Sequence, residues 1–220
     1  MLSLLRKNAY FFLPFLLWVI AGGILFSKFT KEELFLSVNQ AHAPWADVLV
    51  TGITYLGDGI SFAILLVVLL IMKKFRLFFM GLATFLLVTV VVQVAKHALN
   101  APRPISYFED TSIIHTVKWV TVHGSNSFPS GHTAGAFGMF CFLAIIVANK
   151  RLGLLFMALA LGAAHSRLYL AQHFYADVYV GSIIGTLSAV LVCYLFQLRE
   201  KTTASKVCPQ PAAGNVIEAT

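Results

Sequence analysis

A histidine and an aspartate in the second half of the sequence have the types and spacing of a nucleophilic centre. His173 and Asp177 are four residues apart, so on a helix they share one face. A carboxylate in that position holds one imidazole nitrogen as the N–H donor and leaves the other nitrogen free to attack. His132, on an earlier segment, is the residue we expect to protonate the leaving group. The pattern therefore predicts a three-residue centre for covalent group transfer.

The residues before His132 predict the start of an anion-binding helix. They are Pro129, Ser130 and Gly131, and proline and serine are typical of a helix start, with Ser130 as the cap. The backbone N–H groups of such a turn bind anions, and Gly131 lets an anion approach closely. We therefore expect Ser130 and Gly131 to hold an anion beside the imidazole.

Three cations complete the predicted site, namely Lys96, Arg103 and Arg167. The arginine fork matches phosphate oxygens, and fixed cations stabilise the negative charge that develops in phosphoryl transfer. The pattern thus favours phosphoryl transfer over other chemistry. Because three crowded cations would repel a metal ion, we expect neither a metal nor a cofactor.

The composition indicates an integral membrane protein. Of the 220 residues, 59% are hydrophobic and 11% are charged, and the mean hydropathy is +0.82. A soluble domain carries roughly a quarter charged residues. The net charge of +7 comes from short basic clusters between apolar runs, which is typical of topology signals and argues against a nucleic-acid partner.

Six apolar segments approach the length of about 20 residues that a transmembrane helix needs. Four are clear, at residues 10–26, 77–99, 133–148 and 178–198. Two shorter runs, at residues 60–72 and 152–168, reach span length with their flanks. We interpret the first segment as an uncleaved anchor and residues 31–56 as an interfacial segment. The predicted fold is all-α, an integral membrane bundle of six transmembrane helices.

Basic clusters predict how this bundle is oriented. Lys and Arg collect in cytoplasmic loops. The clusters lie at residues 6–7, 73–76, 150–151 and 199–201, as a six-span chain with both termini in the cytoplasm requires. The site residues then fall on the non-cytoplasmic face. Residues 1–198 form one domain, and residues 199–220, rich in Thr, Ala and Pro, are expected to be a disordered cytoplasmic tail.

Three ordered motifs resemble the signature of a known family. They are Lys96-x6-Arg103-Pro104, Pro129-Ser130-Gly131-His132 and Ser166-Arg167-x5-His173-x3-Asp177. With every spacing met, they are similar to the signature of the type 2 phosphatidic acid phosphatase superfamily, in its membrane lipid phosphatase branch. The resemblance covers residues 96–177 directly, and the six-span layout extends it over most of the chain.

The resemblance implies a lipid phosphatase with a phosphohistidine intermediate. It implies that His173 is phosphorylated, that Asp177 orients it, and that His132 protonates the leaving oxygen and then activates water. The phosphoryl group would be held by Lys96, Arg103, Ser130, Gly131 and Arg167.

The motifs leave the identity of the lipid open. The implied substrate is a phospholipid or polyprenyl phosphate, with undecaprenyl pyrophosphate, phosphatidylglycerol phosphate, phosphatidic acid and the phosphates of lipid A as candidates. Short loops and an outward-facing site favour a small envelope phosphatase, and hence undecaprenyl pyrophosphate. We expect a bacterial inner membrane protein, surrounded by membrane lipids, with its site on the periplasmic face.

Three other interpretations stay open. The least favoured is a member of the same family that binds vanadate in this pocket and oxidises halides, because the known forms are soluble. A lipid or anion transporter could use the same cations without hydrolysis, although transport sites usually lie near the bilayer midplane and these cations fall at one end of the spans. His173 and Asp177 could also be a metal pair, which the surrounding cations disfavour.

Overall fold

Helices form the framework of the described chain. The computed structural model describes the backbone of residues 1–207 and the side chains of residues 1–199. The helices are α1 (Leu2–Lys7), α2 (Ala9–Lys28), α3 (Lys31–Asn39), α4 (Pro44–Thr54), α5 (Gly59–Ile71), α6 (Phe75–Leu99), α7 (Pro104–Tyr107), α8 (Gly131–Ile146), α9 (Leu152–Tyr169) and α10 (Tyr175–Val207). Short 3-10 helices lie at Tyr55–Gly57 and Thr111–Ile113. No strand occurs within residues 1–207, which confirms the all-α prediction.

Four helices in the described residues are long and apolar enough to cross a membrane. They are α2, the Phe75–Tyr107 segment that begins with α6, α9, and the Tyr175–Arg199 part of α10. The pair Pro44–Gly57 and Gly59–Ile71, bent by 53°, forms a fifth candidate. Helix α8 is apolar but has only 16 residues. The prediction of a helical membrane protein is thus confirmed, while the count of six spans and the cytoplasmic termini stay predictions.

Each predicted segment begins within three residues of a helix start, because long apolar runs mark buried and lipid-facing helices directly. The last segment differs most at its end, since α10 continues to Val207. Residues 208–220 lie outside the described residues, so the tail predicted over residues 199–220 stays a prediction.

The predicted interfacial segment between α2 and α5 folds into two helices. Helix α3 starts with a capping box, in which Thr30 and Glu33 satisfy each other's backbone N–H groups. Pro44 occupies the first turn of α4. The chain then bends at Asp58, whose Oδ1 accepts a hydrogen bond from the N–H of Ile60 and caps α5.

Helices α8 and α10 pack with their backbones in contact. Small residues recur four positions apart, as Ala134 and Gly138 on α8 and as Gly181 and Gly185 on α10. A Cβ atom on Gly185 would clash with the carbonyl of Ala134 and lie 2.8 Å from the nitrogen of Gly138. Small residues at this spacing let membrane helices approach closely. The contact fixes the register of the two helices that carry the predicted acid and the predicted aspartate.

Polar side chains tie the loops to one end of the bundle. Asn39 donates to the carbonyls of His115 and Tyr169 and accepts from the N–H of His115. Asp47 accepts from the hydroxyl of Tyr169 and lies 2.8 Å from Nε2 of His115. These bonds hold α3, α4 and the loop after α7 against the end of α9 that carries Arg167.

Candidate active site

The predicted nucleophile follows a tight turn between α9 and α10. The N–H groups of Gln172 and His173 both bond to the carbonyl of Arg167, and the N–H of Ala171 bonds to that of Leu168. This is the Schellman pattern of helix C-termini. Ala171 adopts the left-handed conformation, with φ of 53°, at a position that glycine usually fills. The turn sets His173 beside the last turn of α9.

The ring of His173 is held through one nitrogen. Its Nδ1 lies 3.3 Å from Oδ2 of Asp177 and 3.4 Å from Oγ of Ser127. The side chains of His173 and Asp177 are 2% and 6% exposed, so the pair is shielded from water. The same ring lines a cavity, and within the described residues its Nε2 has no hydrogen-bond partner. Nε2 is therefore the nitrogen that the predicted mechanism would use as the nucleophile.

Asp177 connects α10, on which it lies, to the start of α8. Its Oδ2 accepts from the Ser127 hydroxyl and, at 2.9 Å, from the N–H of Phe174. Its main-chain carbonyl accepts from the N–H of Ser130 at 3.0 Å. The Ser130 hydroxyl in turn caps the first turn of α8, as its sequence position predicts. Because Ser130 is two residues before His132, this bond ties the predicted acid to the predicted nucleophile.

Two of the predicted cations are anchored on the loop before α8. Nζ of Lys96 donates to the carbonyl of Asn126 at 2.7 Å. Nε of Arg103 donates to the carbonyl of Ser125 at 2.9 Å, and its Nη1 donates to Oε1 of Gln172 at 2.8 Å. These bonds fix the direction of each cationic group and leave further N–H donors for a ligand.

Arg167, the third cation, has an unmatched donor. It is 6% exposed, and its Nη1 donates to the hydroxyl of Thr54 at 2.6 Å. Its buried Nε has no hydrogen-bond partner among the described residues. A buried donor without an acceptor costs about 1–3 kcal/mol. A phosphoryl oxygen is the acceptor that a guanidinium fork matches best, so Arg167 is prepared for an anion.

One cavity of about 610 Å³ collects the predicted residues. Its wall includes Lys96, Arg103, Gly131, His132, Arg167 and His173. The other two predicted residues are buried behind the wall, Ser130 as the cap of α8 and Asp177 as the partner of the nucleophile. The structure thus brings all eight predicted residues together at one end of the bundle.

The surroundings of His173 keep its ring neutral. Burial is the largest cause and, together with the guanidinium groups of Arg167 and Arg103, lowers the pKa of His173 to about 3. The hydrogen bond and the charge of Asp177 act in the opposite direction. The neutral ring is the nucleophilic form, as the role predicted for His173 requires.

The chain also matches a known family over more than half of its length. The model of the PAP2 superfamily matches residues 76–201, which include all three site motifs. This chain belongs to the PAP2 superfamily. The predicted relationship to type 2 phosphatidic acid phosphatases is thereby confirmed, and relatives in the PAP2 family bear the names of phosphatases, as the hydrolase prediction requires.

Several PAP2 proteins are similar to this chain. The crystal structure of LpxE from Aquifex aeolicus aligns with a TM-score of 0.67 and 30% identity, over 77% of this chain and 98% of LpxE. Lipid A 4'-phosphatase of Bacteroides thetaiotaomicron is 31% identical over 91 residues, or 41% of this chain and 39% of that protein. Undecaprenyl-diphosphatase BcrC of Bacillus subtilis is 29% identical over 108 residues, or 48% and 53%. The chain therefore spans about half or less of these last two relatives.

Four further residues of this PAP2 site escaped the sequence interpretation. Ser127 and Gln172 bind the motif residues Asp177 and Arg103, and both stand next to motifs, which is their only signal in the sequence. Thr54 binds an arginine 113 positions away, and Asp58 lines the cavity from the bend before α5. Sequence spacing cannot reveal contacts between segments so far apart.

Proposed function

We propose that this protein is a metal-independent membrane phosphatase that hydrolyses a lipid phosphate or pyrophosphate through a phosphohistidine at His173. The observation that carries the proposal is one cavity whose wall presents His173, His132 and three cations. A nucleophile, an acid and charge-stabilising groups held together in this way support phosphoryl transfer. The names of the relatives, a lipid A phosphatase and an undecaprenyl-diphosphatase, support a lipid as the substrate.

In the first half-reaction, Nε2 of His173 attacks phosphorus and the bond from phosphorus to the leaving oxygen breaks. The electron pair of that bond goes to the leaving oxygen, which takes a proton from the imidazolium of His132. The three cations stabilise the charge on the equatorial oxygens. Asp177 accepts the N–H at Nδ1 and stabilises the positive charge that spreads over the ring. The products are the dephosphorylated lipid and phosphohistidine.

In the second half-reaction, the now neutral His132 takes a proton from water. The water oxygen forms a bond to phosphorus while the bond from phosphorus to Nε2 of His173 breaks, and the electron pair returns to the ring. Inorganic phosphate leaves, and both histidines recover their starting protonation states. The two steps use the same residues in opposite directions, so no further group is needed.

The proposal includes the membrane layout. We place six spans in residues 1–198, with α8 as the short fourth span, both termini in the cytoplasm and the cavity open to the periplasm of a bacterial inner membrane. The four basic clusters support this orientation. Among the candidate lipids we favour undecaprenyl pyrophosphate, a diphosphate of the kind named for the BcrC relative.

The test is phosphate release by the detergent-solubilised protein from undecaprenyl pyrophosphate, phosphatidylglycerol phosphate, phosphatidic acid and lipid A, with EDTA present throughout. The His173→Ala variant is assayed beside it, and His97→Ala serves as the matched control because His97 is exposed at the end of α6. We expect EDTA-resistant release that is lost in His173→Ala and kept in His97→Ala.

Other outcomes would contradict the mechanism, favour the transporter or identify the intermediate. Release that requires added Mg²⁺ would contradict the metal-independent mechanism, and wild-type turnover by His173→Ala would contradict the phosphohistidine. Headgroup label that moves across a vesicle membrane without release of inorganic phosphate would favour the transporter. Acid-labile label on wild-type protein, absent from His173→Ala, would identify the intermediate directly.

A further inference from the structure

Asp58 is a carboxylate inside a cavity that otherwise attracts anions. It lies at the bend between α4 and α5 and lines the same cavity as His132. Among the described residues that line this cavity, it is the only acidic side chain. A negative charge here opposes the binding of a phosphate dianion, so it requires a reason beyond capping a helix.

The backbone brings Asp58 to the first turn of α8. Gly57, the preceding residue, approaches so closely that a Cβ atom there would lie 2.6 Å from the carbonyl oxygen of His132. A Cβ atom on Gly135, one turn further along α8, would lie 3.2 Å from the carbonyl oxygen of Gly57. Two glycines therefore let the bend sit directly against the turn that carries the predicted acid.

The carboxylate of Asp58 is held in place through one of its two oxygens. Oδ1 accepts from the N–H of Ile60 at 3.1 Å, which fixes the side chain, while Oδ2 has no hydrogen-bond partner among the described residues. The carboxylate interacts electrostatically with the side chains of His132 and Arg167. No direct hydrogen bond joins Asp58 to His132 in the described residues, so their interaction is one of charge.

The other charged groups near His132 all oppose its protonated form. They are Arg167 from α9, Arg103 from the loop before α7 and Lys96 from α6. The rings of His173 and His123 line the same cavity. An acid that gives a proton to a leaving oxygen must hold that proton beforehand. The three cations on the cavity wall repel a protonated ring, and among the described residues of that wall Asp58 is the one whose charge attracts it.

We propose that Asp58 is a positioning residue that keeps His132 protonated, so that His132 can protonate the leaving oxygen. The inference rests on the proposed phosphatase function and adds a residue to it. In the first half-reaction the proton passes from the imidazolium of His132 to the leaving oxygen as its bond to phosphorus breaks. In the second, the proton taken from water restores the pair.

Two other roles for Asp58 make different predictions. If it only capped α5, any residue with a capping oxygen would serve equally. If it only supported Arg167, its loss would weaken phosphate binding for all substrates alike. A partner of the acid is needed most when the leaving group is a poor one, because a good leaving group departs without a proton.

The decisive variant is Asp58→Asn, because asparagine keeps the capping oxygen and removes the charge. Asp110→Asn is the matched control, since Asp110 makes the same side-chain bond to a backbone N–H two residues on, at 2.9 Å, but lies outside the cavity. Each protein is assayed with the lipid substrate, and with phenyl phosphate and 4-nitrophenyl phosphate, whose leaving groups differ in basicity.

We expect Asp58→Asn to lose about tenfold in kcat on a lipid phosphomonoester such as phosphatidic acid, whose leaving oxygen is that of an alcohol, and on phenyl phosphate. Little loss is expected on 4-nitrophenyl phosphate or on undecaprenyl pyrophosphate, whose leaving groups are weakly basic. The basic limb of its kcat profile on the lipid should move to lower pH by about one unit, because the imidazolium then loses its proton more readily. Asp110→Asn should match the wild type in each assay.

An equal loss on all substrates, with an unmoved pH profile, would overturn the role of Asp58 and leave the phosphatase function intact. Full activity of Asp58→Asn would overturn it as well. If aryl phosphates are not turned over, the pH profile on the lipid decides alone. Absence of any His173-dependent release by the wild type would instead remove the proposed function, so the two failures are distinct.

Discussion

Helices α10 and α2 are both long enough to cross a membrane, yet they occupy different environments. In the apolar window of α10, 56% of the residues are buried inside the protein, against 11% in α2. The inner helix has small residues at its contact with α8 and polar residues at its end, whereas α2 exposes large apolar side chains such as Leu13 and Leu17. Hydrophobicity therefore identifies a span, while small and polar residues identify the helices that carry the site.

The sharpest test of this contrast is Asp177→Asn at the start of the inner helix. Asparagine still fits the space but no longer stabilises the charged ring, and its amide can hold the imidazole in the wrong tautomer, so we expect kcat to fall on the order of 10³-fold. Phosphate release from the lipid substrate measures it. Asp110→Asn, on an exposed loop, should keep full activity, and near wild-type turnover by Asp177→Asn would break the link between burial and catalysis.

One added methyl group should destabilise the protein when it is placed on α10 but not when it is placed on α2. Gly185→Ala places a carbon against the backbone of α8, so we expect a loss of about 3 kcal/mol in the free energy of unfolding. Gly23→Ala on α2 meets only an ordinary contact, 3.5 Å from the Tyr179 hydroxyl, and should be neutral or stabilising. Unfolding in mixed micelles measures both. Equal effects would mean that α8 and α10 are not in close contact.

Arg167→Lys tests whether the buried guanidinium of Arg167 acts by its shape as well as by its charge. Lysine keeps the positive charge but loses the fork and the free Nε donor, so we expect kcat/KM to fall roughly 10- to 100-fold. Arg151→Lys, exposed before α9, is the control and should show no change. If both variants retained full activity, the unmatched Nε of Arg167 would have no part in binding.

The pH dependence of stability probes the burial of His173. Its pKa in the folded protein is about 3, below the usual value of 6.5, so the folded state favours the neutral ring. The stability that the protein gains by burying the neutral ring is complete above pH 6.5. It declines as the pH falls below that value, by about 1.4 kcal/mol per pH unit. Wild-type protein should therefore lose about 2 kcal/mol more than His173→Gln between pH 8 and pH 5. Parallel curves would show that the ring is accessible to protons.

The sequence was sufficient to predict the helices and the eight motif residues. Apolar runs located the long apolar helices because lipid and protein interiors select the same residues, and the residues of the three motifs line one cavity, as Lys96, His132 and His173 show. The Ser130 cap was also predicted, since a cap depends only on neighbouring residues.

The remaining features depend on contacts that no local pattern encodes. The sequence Gly57-Asp58-Gly59 predicts the break before α5, but the place of Asp58 in the cavity was missed because residues 31–56 were interpreted as an interfacial segment; they form two helices that lead into the cavity wall. The bond from Ser127 to Asp177 joins residues 50 positions apart. Such pairs form only once α8 and α10 have packed, so their roles follow from tertiary structure.

The bond between the N–H of Ser130 and the carbonyl of Asp177 also has a consequence for biosynthesis. A growing chain exposes its cations and His132 before the nucleophile and its aspartate are made, because these belong to the last of the described helices and the turn before it. The site is therefore completed only when α10 docks on α8. Under the proposed mechanism, a ribosome-bound or truncated chain that lacks α10 carries the cations and His132 but has no aspartate to orient His173.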